Sequence, residues 1–150
     1  MPALFDTGAL ELLRRRQRRA EILALRHYPP VICPQVAGEF MYGQFESRVS
    51  EPALVAARIF LAPFEMLVST ARTPDICAQL RAGLQAEGVV VADPVCWIAA
   101  HAFEHGLPVV TTDRDFRRVP GLRVHWVKVP GPPATPGDQE KRRPAFAGRL

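Results

Sequence analysis

The sequence predicts one α/β domain with a mainly parallel central sheet and helices on both of its faces. Short apolar runs rich in β-branched residues alternate with longer helix-compatible stretches, which is the pattern of a parallel sheet covered on both faces. Proline or acidic residues stand at several of the expected helix starts. The chain has 150 residues, of which 48% are hydrophobic and 23% charged. It is therefore long enough to bury one sizeable core and too short for two.

The predicted elements follow one another along residues 1–129, which we assign to this domain. In chain order they are strand 3–5, helix 9–25, strand 31–33, a helix beginning at Pro34, helix 51–61, strand 64–68, helix 73–87, a helix from Asp93 to Gly106, strand 108–112, a turn at 113–116 and strand 123–127. From Pro130 onward proline, glycine and charged residues dominate. We expect residues 130–150 to form a disordered tail, because they offer almost no apolar surface to bury.

In the first half of the chain, prolines and acidic residues mark the ends of the elements. The apolar run 3–5 ends at Asp6, and a helix-compatible stretch follows at once. Pro34 suits the first turn of a helix, and Glu51-Pro52 opens the next helix in the same way. Pro63 ends that helix before the strand-like residues that follow it.

The second half of the chain contains two helix start signals and two strands. Thr73 is predicted as an N-cap with Pro74 at the first helical position, and Asp93-Pro94 repeats this signal. Residues 95–103 are apolar nearly all round, which predicts a buried helix. The β-branched run 108–112 predicts the strand that follows.

Composition and pattern exclude several classes of protein. No apolar run reaches the length of a membrane span, and the amino terminus lacks the pattern of a signal peptide, so we expect the protein to stay in the cytoplasm. Cys33, Cys77 and Cys96 show no metal-ligand spacing and are expected to be buried thiols. The four histidines lack such spacing too, and we expect them to have packing roles.

Three acidic residues lie beside the ends of predicted strands. Asp6 ends the first strand, Asp113 follows strand 108–112, and Glu39 lies on the helix after strand 31–33. Because ligands collect at the carboxyl ends of parallel strands, we expect these carboxylates to converge at one edge of the sheet. Such a cluster suits Mg²⁺ or Mn²⁺, which activate water for attack on a phosphodiester. Taken singly, Asp6 and Asp113 also suit helix caps or turns.

The combination of these acids with their neighbours resembles a known family, the PIN domains of VapC-type toxins. The resemblance covers about residues 2–128 and rests on Leu4-Phe5-Asp6-Thr7, Val36-Ala37-Gly38-Glu39-Phe40-Met41-Tyr42-Gly43, Leu80-Arg81-Ala82, Ile98-Ala99-Ala100-His101-Ala102 and the segment 111–122. It implies a three-layer sandwich and an Mg²⁺- or Mn²⁺-dependent endoribonuclease that a cognate antitoxin inhibits. It also implies a protein partner, the antitoxin or a second copy in a homodimer. Four apolar residues are expected either to contact that partner or to face the core: Leu54, Ile59, Phe60 and Phe64.

Carried over by position, the resemblance assigns roles to the residues of the acidic site. Asp6, Glu39 and Asp113 match the first, second and last acids of the family. Thr7 would steady the site by hydrogen bonding. Asp115 is either an auxiliary acid or a residue that stabilises a turn.

Two positions depart from the family pattern. Gly8 replaces a small polar residue, and Val95 stands where the family has a third acid, three residues before Ile98-Ala99-Ala100. Asp93, two residues before Val95, serves either as a helix N-cap or as a displaced metal ligand that joins Asp6 and Asp113. With one negative charge fewer, the site is expected to bind Mg²⁺ through more water and to cleave RNA weakly.

Other functions are compatible with parts of the sequence. One alternative is a catalytically inactive PIN-like module that binds RNA or an antitoxin, because Val95 removes an acid. Another is an aspartic protease, whose Asp-Thr-Gly-Ala signature matches residues 6–9, although a helix follows here where an all-β fold is needed. Five of the residues from 14 to 19 are arginines. This cluster suits either phosphate binding or an acidic partner protein.

Overall fold

The computed structural model describes residues 1–16 and 26–129 of the chain. The strands in this part are β1 (Ala3–Phe5), β2 (Pro30–Ile32), β3 (Glu65–Met66), β4 (Val109–Thr111) and β5 (Val124–Trp126). The α-helices are α1 (Thr7–Arg15), α2 (Pro34–Glu46), α3 (Glu51–Leu61), α4 (Arg72–Ala86) and α5 (Asp93–His105), and a 3₁₀ helix spans Arg114–Arg118. The predicted tail at 130–150 and residues 17–25 of the first predicted helix lie outside the described residues.

The strands form one sheet in the order β3-β2-β1-β4-β5. β1 is central, since Leu4 pairs with Val31 of β2 on one side and with Val109 of β4 on the other. All the strand pairings are parallel, so the carboxyl ends of the strands lie along one edge of the sheet. The predicted α/β architecture around a mainly parallel sheet is therefore confirmed.

Neighbouring residues of β1 pack into two different cores. Leu4 belongs to a buried cluster with Val36 of α2 and Ile98 of α5, whereas Phe5 belongs to a second cluster with Ala9 of α1. Successive residues of a strand point to opposite faces of its sheet. The two clusters therefore lie on opposite faces, each covered by helices, which is the three-layer arrangement that the sequence predicted.

α1 is shorter at its carboxyl end than the predicted helix 9–25. Arg16 adopts the left-handed conformation with φ of 50°, and its N–H donates to the carbonyl of Leu13 at 3.3 Å. This bond closes the last turn and ends the helix. α5 ends as predicted, at Gly106, whose φ of 64° is also left-handed. Across the described ranges, no helix combines the length and the apolarity needed to cross a membrane.

The predicted N-cap role of Thr73 is wrong. α4 begins one residue earlier, at Arg72, and Thr73 lies in its first turn. The Thr73 hydroxyl donates to Glu104 of α5 at 2.5 Å and accepts from the N–H of Thr70 at 2.9 Å. A tertiary contact with α5 therefore takes the hydroxyl that the sequence pattern assigned to capping.

The apolar residues expected to contact a partner mostly face the core. Leu54 is 9% exposed, and Phe60 and Phe64 pack against the main buried cluster with their ring centroids 5.3 Å apart. Ile59 is 66% exposed. Leu54, Phe60 and Phe64 therefore pack toward the core, and a partner contact on residues 51–64 stays a prediction.

Candidate active site

Asp6 is the buried acid of the site. It directly follows β1 and caps α1, where its Oδ1 accepts from the N–H of Ala9 at 2.7 Å. Its Oδ2 accepts from the hydroxyl of Thr111 at 2.5 Å, and the residue is 5% exposed. Burial raises the pKa of Asp6 from its ordinary 3.8 to about 6; these two hydrogen bonds oppose the rise, and the charges of Asp113 and Glu39 add to it.

Glu39 is held beside this acid by Thr7, the residue that follows Asp6. It lies in the middle of α2 and is half-buried. The hydroxyl of Thr7, the first residue of α1, donates to Glu39 Oε2 at 2.5 Å. This contact joins the amino-terminal end of α1 to α2; the resemblance implied hydrogen bonding by Thr7 without naming a partner.

Asp113 follows β4 and is tied to the same hydroxyl as Asp6. The N–H of Asp113 donates to Thr111 Oγ1 at 2.8 Å, while its Oδ1 accepts from the N–H of Asp115 at 2.9 Å and so caps the 3₁₀ helix. Thr111 therefore links two acids that are far apart in sequence. The carboxylate of Asp115 forms an ion pair with Arg118 at 3.3 Å, and this contact stabilises the turn.

One cavity of about 240 Å³ collects these acids. Asp6, Glu39 and Asp113 all line it, together with Thr7, Gly8 and Thr112. Its other wall is apolar and consists of Ala92, Pro94, Val95, Ile98 and Phe116. Val95, where the resemblance implies a third acid, is 3% exposed and lines the cavity with an apolar side chain.

Asp93 lies elsewhere. Its carboxylate forms an ion pair with Arg81 of α4 at 3.1 Å, and both residues line a different cavity of about 280 Å³. Residues two apart on an α-helix point in nearly opposite directions, which separates Asp93 from Val95. The predicted N-cap role of Asp93 is also wrong, because α5 begins at Asp93 and Ala92 is its N-cap.

The donor set suits a hard cation that keeps much of its water. Carboxylate oxygens are the ligands that Mg²⁺ and Mn²⁺ prefer, and the raised pKa of Asp6 reports a charge that is costly there without a counterion. In residues 1–16 and 26–129, however, no group of three or more His, Cys, Asp or Glu side chains is close enough to hold one ion. The residues therefore fit a cation bound directly by one or two carboxylates and otherwise by water.

Thr112 is a site residue that the sequence argument missed. A Cβ atom added to Gly8 would lie 2.2 Å from Thr112 Oγ1 and 3.7 Å from Asp6 Oδ1. The Thr112 hydroxyl thus occupies the space of the polar side chain that Gly8 lacks. The sequence shows a Thr-Thr pair directly before Asp113. The contact of Thr112 with Gly8, however, depends on how β4 and α1 pack together.

The three cysteines and His101 are buried away from the acidic cavity. Cys33, Cys77 and Cys96 are free and buried, as predicted, and burial raises the pKa of the Cys33 thiol to about 11. The ring of His101 is fully buried and lies 2.9 Å from both Ser69 Oγ and the carbonyl of Trp97. The aspartic protease alternative is wrong, because residues 6–9 lead from a parallel strand into a helix.

The fold and this acidic edge define a class of protein. The family model of the PIN domain matches residues 3–122. This is most of the chain, and the chain therefore belongs to the PIN domain family.

Two curated relatives carry ribonuclease names. The tRNA(fMet)-specific endonuclease VapC of Salmonella typhimurium is 34% identical over 87 residues, which are 57% of this chain and 66% of the relative. Ribonuclease VapC2 of Rickettsia felis is 28% identical over 95 residues, which are 62% of this chain and 71% of the relative. The matched segments thus span about two thirds of each relative's length.

Solved structures of toxin–antitoxin complexes share the fold. The crystal structure of DNA-bound VapBC from Salmonella typhimurium has a TM-score of 0.71 and 27% identity, and the match covers 83% of this chain and 98% of that one. VapBC2 from Rickettsia felis, bound to a promoter DNA fragment, has a TM-score of 0.71 and 21% identity, over 85% of this chain and 100% of that one. At that lower identity the likeness concerns the fold alone.

Proposed function

We propose that the chain is a toxin-type, metal-dependent endoribonuclease that cleaves RNA phosphodiester bonds with Mg²⁺ or Mn²⁺. The observation that carries this proposal is the convergence of Asp6, Glu39 and Asp113 on one cavity at the carboxyl edge of the sheet. Membership of the PIN family and the ribonuclease names of the Salmonella and Rickettsia relatives support it.

In this mechanism each residue of the site has its own role. Asp6 and Asp113 would hold the cation; the hydroxyl of Thr111 donates to the carboxylate of Asp6 and accepts from the backbone N–H of Asp113. When bound, the cation supplies Lewis acidity for activating water and for neutralising charge on the phosphate. Thr7 donates to Glu39 Oε2 and so helps to position Glu39, whose carboxylate would accept a proton from the attacking water.

The apolar wall of the cavity has a separate role. Val95 and Phe116 are buried at 3% and 2% exposure, and they limit the entry of bulk water beside the acids. Charge interactions are stronger where water is excluded. Asp93 is not part of this mechanism, because its ion pair with Arg81 holds it at another cavity.

We further propose that a cognate antitoxin inhibits the chain. The support is the structural likeness to VapBC complexes, in particular the one from Salmonella typhimurium. A homodimer and a location in the cytoplasm stay predictions from the sequence. Co-expression with the neighbouring open reading frame, followed by co-purification and a cleavage assay of the complex, tests the antitoxin.

A second candidate is a PIN-like module that binds RNA or an antitoxin without cleaving. Val95 favours it, since the apolar side chain lines the cavity where the resemblance implies a further acid. The two candidates differ in one measurable property, which is turnover. Binding of RNA is common to both.

The decisive experiment is cleavage of a panel of structured RNAs, with tRNAs included because the Salmonella relative is a tRNA(fMet)-specific enzyme. We expect cleavage with Mg²⁺ or Mn²⁺ and none with EDTA. Asp6→Asn should reduce the rate at least about a hundredfold, since it removes a charge at the cation site. Asp93→Asn is the matched control, because this exposed acid lies at the other cavity.

Three results would count against the nuclease proposal. Cleavage that persists in EDTA would exclude a metal-dependent step. Equal activity of the wild type and Asp6→Asn would exclude the acidic cavity as the site. RNA binding without any turnover by the wild type would establish the binding module instead.

A further inference from the structure

A groove leads away from the acidic cavity between α1 and α2. It has a volume of about 600 Å³, and Thr7 and Glu39 line both the groove and the acidic cavity. Beyond this shared end its walls are Glu11, Arg14 and Arg15 from α1 and Phe40, Gly43, Gln44 and Ser47 from α2, with Val49 after them. The groove is therefore continuous with the proposed catalytic site and becomes basic with distance from it.

The α1 wall of the groove is one face of the helix. Thr7, Glu11 and Arg14 are spaced by four and then three residues, which places them on the same side of an α-helix. At a rise of about 1.5 Å per residue, Arg14 lies roughly 10 Å along the helix axis from Thr7. An RNA strand with one phosphate at the acidic cavity would therefore reach Arg14 with a neighbouring nucleotide.

Arg14 is held in place by three contacts. Its guanidinium donates to Gln44 Oε1 at 3.2 Å, lies 3.6 Å from Glu11 Oε1 and covers the ring of Phe40 at 5.3 Å. Gln44 is itself 6% exposed and donates through Nε2 to the carbonyl of Phe40 at 3.3 Å. A buried amide thus orients the guanidinium, which lowers the entropy that Arg14 would lose on binding an anion.

The charge of the groove beyond the shared end is positive. Arg15 also pairs with Glu11, at 3.3 Å, so the two arginine side chains share one carboxylate. Guanidinium groups match phosphate oxygens with paired, charge-assisted hydrogen bonds. Single-stranded nucleic acids are bound in grooves of this kind, where positive side chains follow the backbone.

We propose that the groove between α1 and α2 binds single-stranded RNA next to the scissile phosphate, with Arg14 as the phosphate contact of an adjacent nucleotide. This proposal rests on the proposed function, because it takes the acids as the point of cleavage. It assigns to Arg14 and Gln44 a part in holding the substrate strand. The binding energy comes from contacts with the RNA backbone, so the groove does not select a base sequence.

Gly43 provides a way to close the groove without disturbing the fold. A Cβ atom added to Gly43 meets nothing within 4 Å, and the residue lines the groove. A leucine there would project into the space that the RNA needs. Gly38 is the matched control, because it lies on the same helix, has nothing within 4 Å of an added Cβ and does not line the groove.

The experiment measures RNA binding separately from cleavage. Single-stranded oligoribonucleotides are titrated by fluorescence anisotropy against the full chain carrying Asp6→Asn, over a range of salt concentrations. Arg14→Gln should weaken binding about tenfold and lower the slope of log K against log salt by about 0.7. Arg58→Gln, which neutralises an exposed arginine paired with Glu51 on α3, should change neither value.

Gly43→Leu should weaken binding about tenfold, whereas Gly38→Leu should leave it unchanged. Circular dichroism verifies that each variant is folded. Undiminished RNA binding by both Arg14→Gln and Gly43→Leu would overturn the proposal, and so would a parent chain that binds no RNA. If the groove variants lose binding to a polyglutamate peptide but still bind RNA, the proposal is also overturned. The groove is then a site for an acidic protein.

The groove and the nuclease proposal can fail separately. If the wild type does not cleave but the groove variants weaken RNA binding, the groove stands and the nuclease fails. If the wild type cleaves and the groove variants bind and cleave normally, the nuclease stands and the groove fails.

Discussion

The first turn of α5 lies between two cavities of similar size. The acids that line one of them have no basic partner in the lining, whereas the acid that lines the other has one. On one side, a cavity of about 240 Å³ is lined by Asp6, Glu39 and Asp113, and its lining includes no basic residue. On the other, a cavity of about 280 Å³ is lined by Asp93 together with its partner Arg81. In the first, burial raises the pKa of Asp6 and the charges of Asp113 and Glu39 add to the rise, whereas the second pairs its acid at the surface.

This difference indicates where a cation is needed. An acid with a basic partner has its charge balanced by the protein itself. The acids of the first cavity, of which Asp6 is buried, have no basic partner in its lining, and a bound divalent ion can supply the missing positive charge. Asp93 and Val95 are two residues apart, yet the helix directs them to these two different environments. Two residues that are close in sequence can therefore lie at different sites.

Among the tests of this comparison between the two cavities, the largest effect is expected from placing an acid on the wall of the first cavity. Val95→Asp adds a carboxylate beside Asp6 and Asp113, and it should raise metal affinity and RNA cleavage together, each about tenfold or more. Without metal the variant should lose stability, because it buries another charge. Isothermal titration with Mn²⁺ and a cleavage assay measure the two gains. Val95→Asn has the same shape without the charge, and an equal gain from it would contradict the argument.

The next effect concerns stability against pH in the absence of metal. The pKa of Asp6 in the folded chain, about 6, lies above its ordinary 3.8. The stability associated with protonated Asp6 is therefore fully present below about pH 4 and is lost as the pH rises through about 6. The loss amounts to about 2–3 kcal/mol at neutral pH. Asp6→Asn does not ionise, so its stability relative to the wild type should increase by about this amount between pH 4 and neutral pH.

Urea unfolding in EDTA at pH 4 and at pH 7.5, with both chains, measures this difference. The comparison cancels the other titrating groups that the two chains share. A stability difference between the two chains that does not change with pH would show that burial does not raise the pKa of Asp6. Addition of Mg²⁺ at pH 7.5 should stabilise the wild type more than Asp6→Asn, because the cation binds the ionised carboxylate.

A smaller effect is expected where Gly8 meets Thr112. Gly8→Ala should destabilise the chain by about 1–3 kcal/mol, because its Cβ would lie 2.2 Å from Thr112 Oγ1. The same change in a Thr112→Ala background removes the clash and should cost nothing. Thermal unfolding of the two single variants and the double variant measures the coupling. Additive effects of the two changes would mean that the hydroxyl moves aside freely.

The smallest effect is expected at the second cavity. Asp93→Ala removes an ion pair whose side chains are 64% and 54% exposed, and exposed pairs contribute about 0–1 kcal/mol. Metal affinity and cleavage should stay unchanged. A large loss of cleavage on this substitution would restore Asp93 as a displaced metal ligand and would contradict the separation of the two cavities.

The sequence by itself determined the order of the elements and the acids at the strand ends. Apolar runs such as residues 3–5 and prolines such as Pro34 and Pro94 carry local information, since they restrict the backbone near themselves. Strand and helix in alternation then imply a parallel sheet, whose carboxyl ends share an edge. Asp6 and Asp113 could be placed near each other for this reason, before any contact between them was known.

Only the tertiary structure decided which side chains occupy the site. Thr111 bonds to Asp6 across 105 positions of sequence, Thr112 fills the space beside Gly8, and Thr73 bonds to Glu104 instead of capping its helix. These outcomes depend on strand register and on the rotation of each helix about its axis. A local pattern specifies neither of them, because both are set by packing between residues that are distant in the chain.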